Sequence, residues 1–124
     1  MRRYAWVMLG GAIGSGLRYG LGTGIQSLIG PDFPWSTLLI NVSGSFLIGM
    51  VIRLNLEGGL SAEARLFLAM GVLGGYTTFS SFSYETLTLL QRGEWFGALA
   101  YALGSLVLGF LAVLVGYRLA GRWV

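Results

Sequence analysis

The feature that most constrains this chain is a set of four apolar runs, each about as long as a bilayer is thick, separated by short polar turns. A helix needs about 20 apolar residues to cross a hydrocarbon core. The first run extends from about Tyr4 to Leu28 with Arg18 as its only charge, and Pro31, Asp32 and Pro34 close it. The others extend from Trp35 to Leu54, from Arg65 to Leu90 and from Trp95 to Leu119. Glu57, Gly58, Gly59 and Ser61 join the second to the third, where Ser61 reads as a helix N-cap with Glu63 beside the positive helix end. Gln91, Arg92, Gly93 and Glu94 form the last turn. No linker is long enough to separate domains, so an all-α membrane protein with one four-helix transmembrane domain over residues 1–124 is expected.

Composition supports a lipid solvent. The chain is 55% hydrophobic and 10% charged, with mean hydropathy +0.73. Its 21 glycines would weaken a soluble helical core, each by about 1 kcal/mol against Ala, but small residues are favoured where membrane helices touch. Several lie four apart: Gly10 and Gly14, Gly16 and Gly20, Gly20 and Gly24, Ser45 and Gly49, Ser105 and Gly109. Such pairs share a helix face and are read as packing surfaces. With no Cys and no His, thiolate and imidazole metal sites are excluded, and so is the usual general base of hydrolases. No base and nucleophile pair suggests an enzyme.

Eight Arg against five acids leave a net charge of +3. The arginines sit singly beside apolar runs rather than in a stripe, so a nucleic-acid partner is not expected. Met1-Arg2-Arg3 before an apolar run imitates a signal peptide, but three further spans follow and cleavage is not expected. An even number of spans puts both termini on one face with the second loop. That face holds Arg2, Arg3, Arg53, Arg65, Arg118 and Arg122, the other only Arg92, with Arg18 deeper in the first run. The positive-inside rule then places the termini in the cytoplasm.

The third run is anomalous. From Gly74 to Glu85 it reads Gly-Gly-Tyr-Thr-Thr-Phe-Ser-Ser-Phe-Ser-Tyr-Glu, too polar to face lipid, and its adjacent glycines predict a broken helix. Breaks at membrane depth persist only where protein or water satisfies the freed backbone groups, and they often mark ion sites. A continuous helix with Ser and Thr bonded back to their own carbonyls is the alternative. The second run carries Thr37, Asn41 and Ser45 at four-residue steps; the fourth carries Tyr101 and Ser105 at the same spacing. These are uncharged donors, suited either to helix association or to a partly dehydrated anion. Phe79 and Phe82, three apart, should share a face; they are core packing or an edge-on lining for anions. Arg18 either snorkels to an interface or draws anions into a vestibule. Glu85 is an interfacial carboxylate or a proton-coupling site.

With these motifs the chain resembles the Fluc fluoride channels, also called the CrcB family. The resemblance covers essentially the whole chain and rests on Gly14-Ser15-Gly16-Leu17-Arg18-Tyr19, Asn41-Val42-Ser43-Gly44-Ser45-Phe46 and, most specifically, Gly74 to Phe82. It implies an antiparallel, dual-topology dimer in a bacterial or archaeal inner membrane, with two pores that export fluoride passively. It implies that Phe79, Phe82 and Asn41 face the ions and that Tyr101, Ser105 and Glu85 belong to the polar lining; Thr37 and Ser81 join the candidate lining, and Arg18 the candidate vestibule, by their own positions. It also implies a central sodium ion held by the carbonyls of Gly74 and Thr77 from each protomer. The arginine excess departs from the balance expected of dual insertion, so the mate is a second copy or a paralogous chain of opposite bias. The rival reading is a proton-coupled exporter of small cations, like the small multidrug transporters; that chemistry wants a carboxylate in the first span, where this chain has Arg18.

Overall fold

The computed structural model describes residues 1–121; Arg122, counted above among the arginines of the terminal face, lies outside them. Every regular element among the described residues is helical. Helix α1 (Arg2–Ile29) stops at Gly30, whose φ of 100° is one that L side chains rarely adopt, and Pro31 follows. Helix α2 is Trp35–Leu56. The third run divides into α3 (Ala62–Arg65), a π-helical stretch (Leu66–Leu73), α4 (Gly74–Tyr76) and α5 (Phe79–Gln91), and α6 is Trp95–Ala120. Ser61 caps α3 as its position suggests, its hydroxyl accepting from the Ala64 N–H at 3.1 Å, with Glu63 in the first turn.

The third run is indeed broken, but not at the glycines. Gly74 and Gly75 are helical, and the chain turns extended at Thr77 (φ −82°, ψ 155°) and Thr78 (φ −148°, ψ 120°). Gly75 serves close approach instead: a Cβ there would strike the Gly11 carbonyl of α1, whereas one on Gly74 would meet only an ordinary contact with the Ala69 carbonyl.

Two backbone-on-backbone seams hold the bundle. Along α1, a Cβ at Gly10 or Gly14 would collide with the Phe67 or Val72 carbonyl of the π-helical stretch, and Trp6 packs edge-on against Phe67 at 5.9 Å. Between α2 and α6, a Cβ at Gly49 would meet the Val113 carbonyl, and one at Gly116 the Phe46 carbonyl. Gly16, Gly20 and Gly24 have nothing within 4 Å, so the expected packing role fails for them within this chain. The buried core is two small clusters on either side of the break, Leu38, Leu89, Ala98 and Tyr101 on one, and Ile40, Leu73 and Tyr76 on the other.

Most other large apolar side chains point outward, including Leu106 and Phe110. An apolar exterior of this extent requires lipid or a partner. Among the described residues, α2 and α6 are the two unbroken helices long and apolar enough to cross a membrane; α1 is longer but diluted by glycine and Arg18.

The seams predict a sharp contrast. Gly14→Ala should destabilise the detergent-solubilised protein by about 1–3 kcal/mol through overpacking, whereas Gly16→Ala should be neutral or stabilising by up to about 1 kcal/mol; thermal unfolding of the two variants checks this.

Candidate ion pathway at the helix break

Interrupting a helix leaves backbone donors and acceptors that must be satisfied away from water. Here Asn41 of α2 answers both polar groups of Thr78. Its Oδ1 accepts from the Thr78 N–H at 2.8 Å and its Nδ2 donates to the Thr78 carbonyl at 3.0 Å. From α1, Arg18 Nε donates to the Gly75 carbonyl at 3.0 Å. Arg18 is therefore turned onto the negative end of the first half-helix and does not snorkel. The second half-helix is capped by its own Thr78, whose Oγ1 accepts from the Ser81 N–H at 3.2 Å.

The carbonyls at the end of the first half-helix lose their helical donors. In an unbroken helix the Gly74 and Thr77 carbonyls would accept from the N–H groups of Thr78 and Ser81, but those donate to Asn41 and to the Thr78 hydroxyl. Gly74 itself is exposed.

On one side of the break lies an open cleft of about 360 Å³, bounded by Asn41, Ser45, Thr77, Thr78, Phe79, Phe82 and Ser105 among others, with no ionised side chain in its lining. The rings of Phe79 and Phe82 do share a face, 5.8 Å apart and tilted by 46°. Phe79 is 78% exposed, while Phe82 packs onto Tyr101 at 5.1 Å. The hydroxyls of Tyr101 and Ser105 are buried without a partner among the described residues. Leaving a buried hydroxyl unpaired costs about 1–3 kcal/mol; Ser105 lines the cleft, whereas Tyr101 lines neither cleft.

A second cleft of about 370 Å³ is polar, lined by Gln26, Ser36, Thr37, Ser80, Ser81, Tyr84 and Glu85. Thr37 donates to Glu85, 2.7 Å from Oε1 and 3.0 Å from Oε2. The structure thus groups Asn41, Phe79, Phe82, Ser105, Gly74 and Thr77 at one cleft and Thr37, Ser81 and Glu85 at the other, with Tyr101 behind Phe82. Sequence reasoning missed Thr78, the residue on which the break turns, along with Gln26, Ser36, Ser80 and the hydroxyl pair of Ser43 and Tyr76, 2.8 Å apart. Tyr76, Thr78 and Ser80 stood in the hydroxyl-rich run; for the others only their polarity within apolar runs was available.

The chain has close relatives among known proteins. Relatives from two strains of Thermus thermophilus, each named Fluoride-specific ion channel FluC, are 64% identical over 124 residues, aligning all of this chain with 98% and 99% of theirs. A relative of the same name from Anaeromyxobacter dehalogenans is 48% identical over 125 residues, covering 100% of this chain and 98% of its own. Residues 5–117 match the family described as CrcB-like protein, Camphor Resistance (CrcB), and the chain belongs to that family.

Proposed function

We propose that this chain is a fluoride-specific ion channel that exports fluoride passively and so lowers its cytoplasmic level. It is a membrane protein and an ion channel rather than an enzyme. The observation that carries the reading is full-length identity of 64% to proteins named for that function, joined to a cleft of uncharged donors beside a helix break. Fluoride entering the cleft loses water and gains donors in its place. Asn41 keeps one amide hydrogen beyond the one given to Thr78. Ring edges of Phe79 and Phe82 carry the positive part of their quadrupoles, and the Ser105 hydroxyl completes the set, with Tyr101 backing Phe82. Thr37, Ser81 and Glu85 line the continuation on the other side of α5. Each contact is weak, which lets the ion leave as readily as it binds. Arg18, at the break, adds the positive potential that draws an anion in.

The functional unit in this reading is an antiparallel dimer in a multi-pass arrangement across the cell inner membrane. A single protomer leaves Gly74 and Phe79 exposed beside carbonyls without helical donors, and irregular backbone is tolerated at membrane depth only when protein or water covers it. A second copy supplies that cover. The freed carbonyls of Gly74 and Thr77 from two such copies would hold a sodium ion, a hard cation suited to neutral oxygen donors, which would supply fixed positive charge between the pathways.

Liposomes reconstituted with this chain alone should release fluoride at least about a hundredfold faster than chloride, and Phe79→Ile or Phe82→Ile should slow fluoride efflux at least about tenfold, followed with a fluoride electrode. Dimers crosslinked from this single-gene product, rather than only from co-expressed paralogues, are expected. Replacing sodium throughout by a large organic cation should lower both the efflux rate and the melting temperature, since an ion bound only to the folded state stabilises it.

A further inference from the structure

We propose that Ser43 and Tyr76 are positioning residues of the ion pathway: the Tyr76 hydroxyl, seated on Ser43 of α2, fixes where the break presents its carbonyls and Phe79. The inference deepens the channel reading and rests on it. Tyr76 is the last helical residue before the break, at the end of a helical stretch that runs without interruption from Ala62. Its ring is buried between Ile40 and Leu73. Its hydroxyl lies 2.8 Å from Ser43 Oγ.

The direction of that bond follows from proton count. Ser43 has one hydroxyl proton and donates it to the Ile40 carbonyl at 3.1 Å, so Tyr76 donates to Ser43. One turn of α2 thereby seats three successive residues of the break. Ser43 takes Tyr76, Gly44 leaves the space that the Thr77 methyl and the Tyr76 ring occupy, and Asn41 takes Thr78. Neither Ser43 nor Tyr76 lines a cleft. Any effect they have on the ion passes through the backbone between them and Phe79.

The two partners are not equivalent. Tyr76→Phe removes a donor and leaves Ser43 still bonded to Ile40. Ser43→Ala strands a buried phenol, which can be relieved only by moving α4, and displacement of a binding group by 1 Å can change a rate by up to about a hundredfold. Removing both partners leaves nothing unpaired.

The test measures fluoride efflux per folded protein in liposomes, below the melting temperature of each variant, together with the fluoride-to-chloride flux ratio. Wild-type liposomes no leakier to fluoride than empty ones would defeat the channel reading itself. Given wild-type conduction, Ser43→Ala should slow efflux about tenfold or more and lower the flux ratio, Tyr76→Phe should slow it by a smaller factor of about threefold because the same bond is lost without stranding the phenol, and the double variant should recover to near the Tyr76→Phe rate, a Tyr76→Phe rate equal to wild type also overturning the proposal. Should Ser43→Ala fail to assemble, Ser43→Cys, a poorer acceptor, takes its place with the same expected order. A Ser43→Ala channel that melts earlier yet conducts like wild type overturns the proposal, and so does a double variant as slow as Ser43→Ala.

Discussion

The rest of this structure depends on one amide. Asn41 meets the N–H and the carbonyl of Thr78 with its own carbonyl and amino groups, a reciprocal pair that replaces what a continuous helix would have provided. An ionised side chain could satisfy only one of the two groups, and would bring a charge into a region where charge is expensive. Because the closure is neutral, the neighbouring cleft remains free of fixed charge, and the electrostatics around an ion are left to dipoles and ring edges. Arg18 then acts at a different point, the Gly75 carbonyl, where a cation complements the negative end of a helix.

That arrangement divides labour along the break. Carbonyls before it lack their helical partners, hydroxyls after it cap the next helix, and α2 fastens both sides. Only uncharged side chains line the cleft beside it. The Glu85 carboxylate lies in the second cleft, engaged by Thr37. Selectivity in such a site comes from how well short-reach donors replace a hydration shell, rather than from net charge.

Much of this is legible in the sequence, for identifiable reasons. Apolar run length marks the helices, and the Gly-Gly-Tyr-Thr-Thr-Phe-Ser-Ser-Phe run is too polar for lipid, which exposes the break. Asn41 and Arg18 stand out because each is costly where it sits. What escapes is everything decided between elements. The Asn41–Thr78 pair joins residues 37 apart, and no local pattern announces it. The adjacent glycines mislead as to where the break falls, because a glycine needed for close approach looks, in sequence, the same as one needed for bending. Ser43 and Tyr76 stand in the quoted motifs, but their pairing joins residues 33 apart and leaves no local mark. Nothing in Leu66–Leu73 signals a π-helix, although the stretch packs Gly71 closely against Gly10.

The π-helical stretch carries its own consequence. A π-helix turns through a smaller angle per residue than an α-helix, so eight residues of it reset the azimuth of everything downstream. Gly75 faces Arg18 and Tyr76 faces Ser43 only at that reset angle. Had the stretch wound as α, the same side chains would leave the chain at a different bearing, and both anchors would reach past their targets. The widened turns therefore act as a phase shifter, which makes the residue count between Arg65 and Gly74 one of the quantities that align the break with its supports.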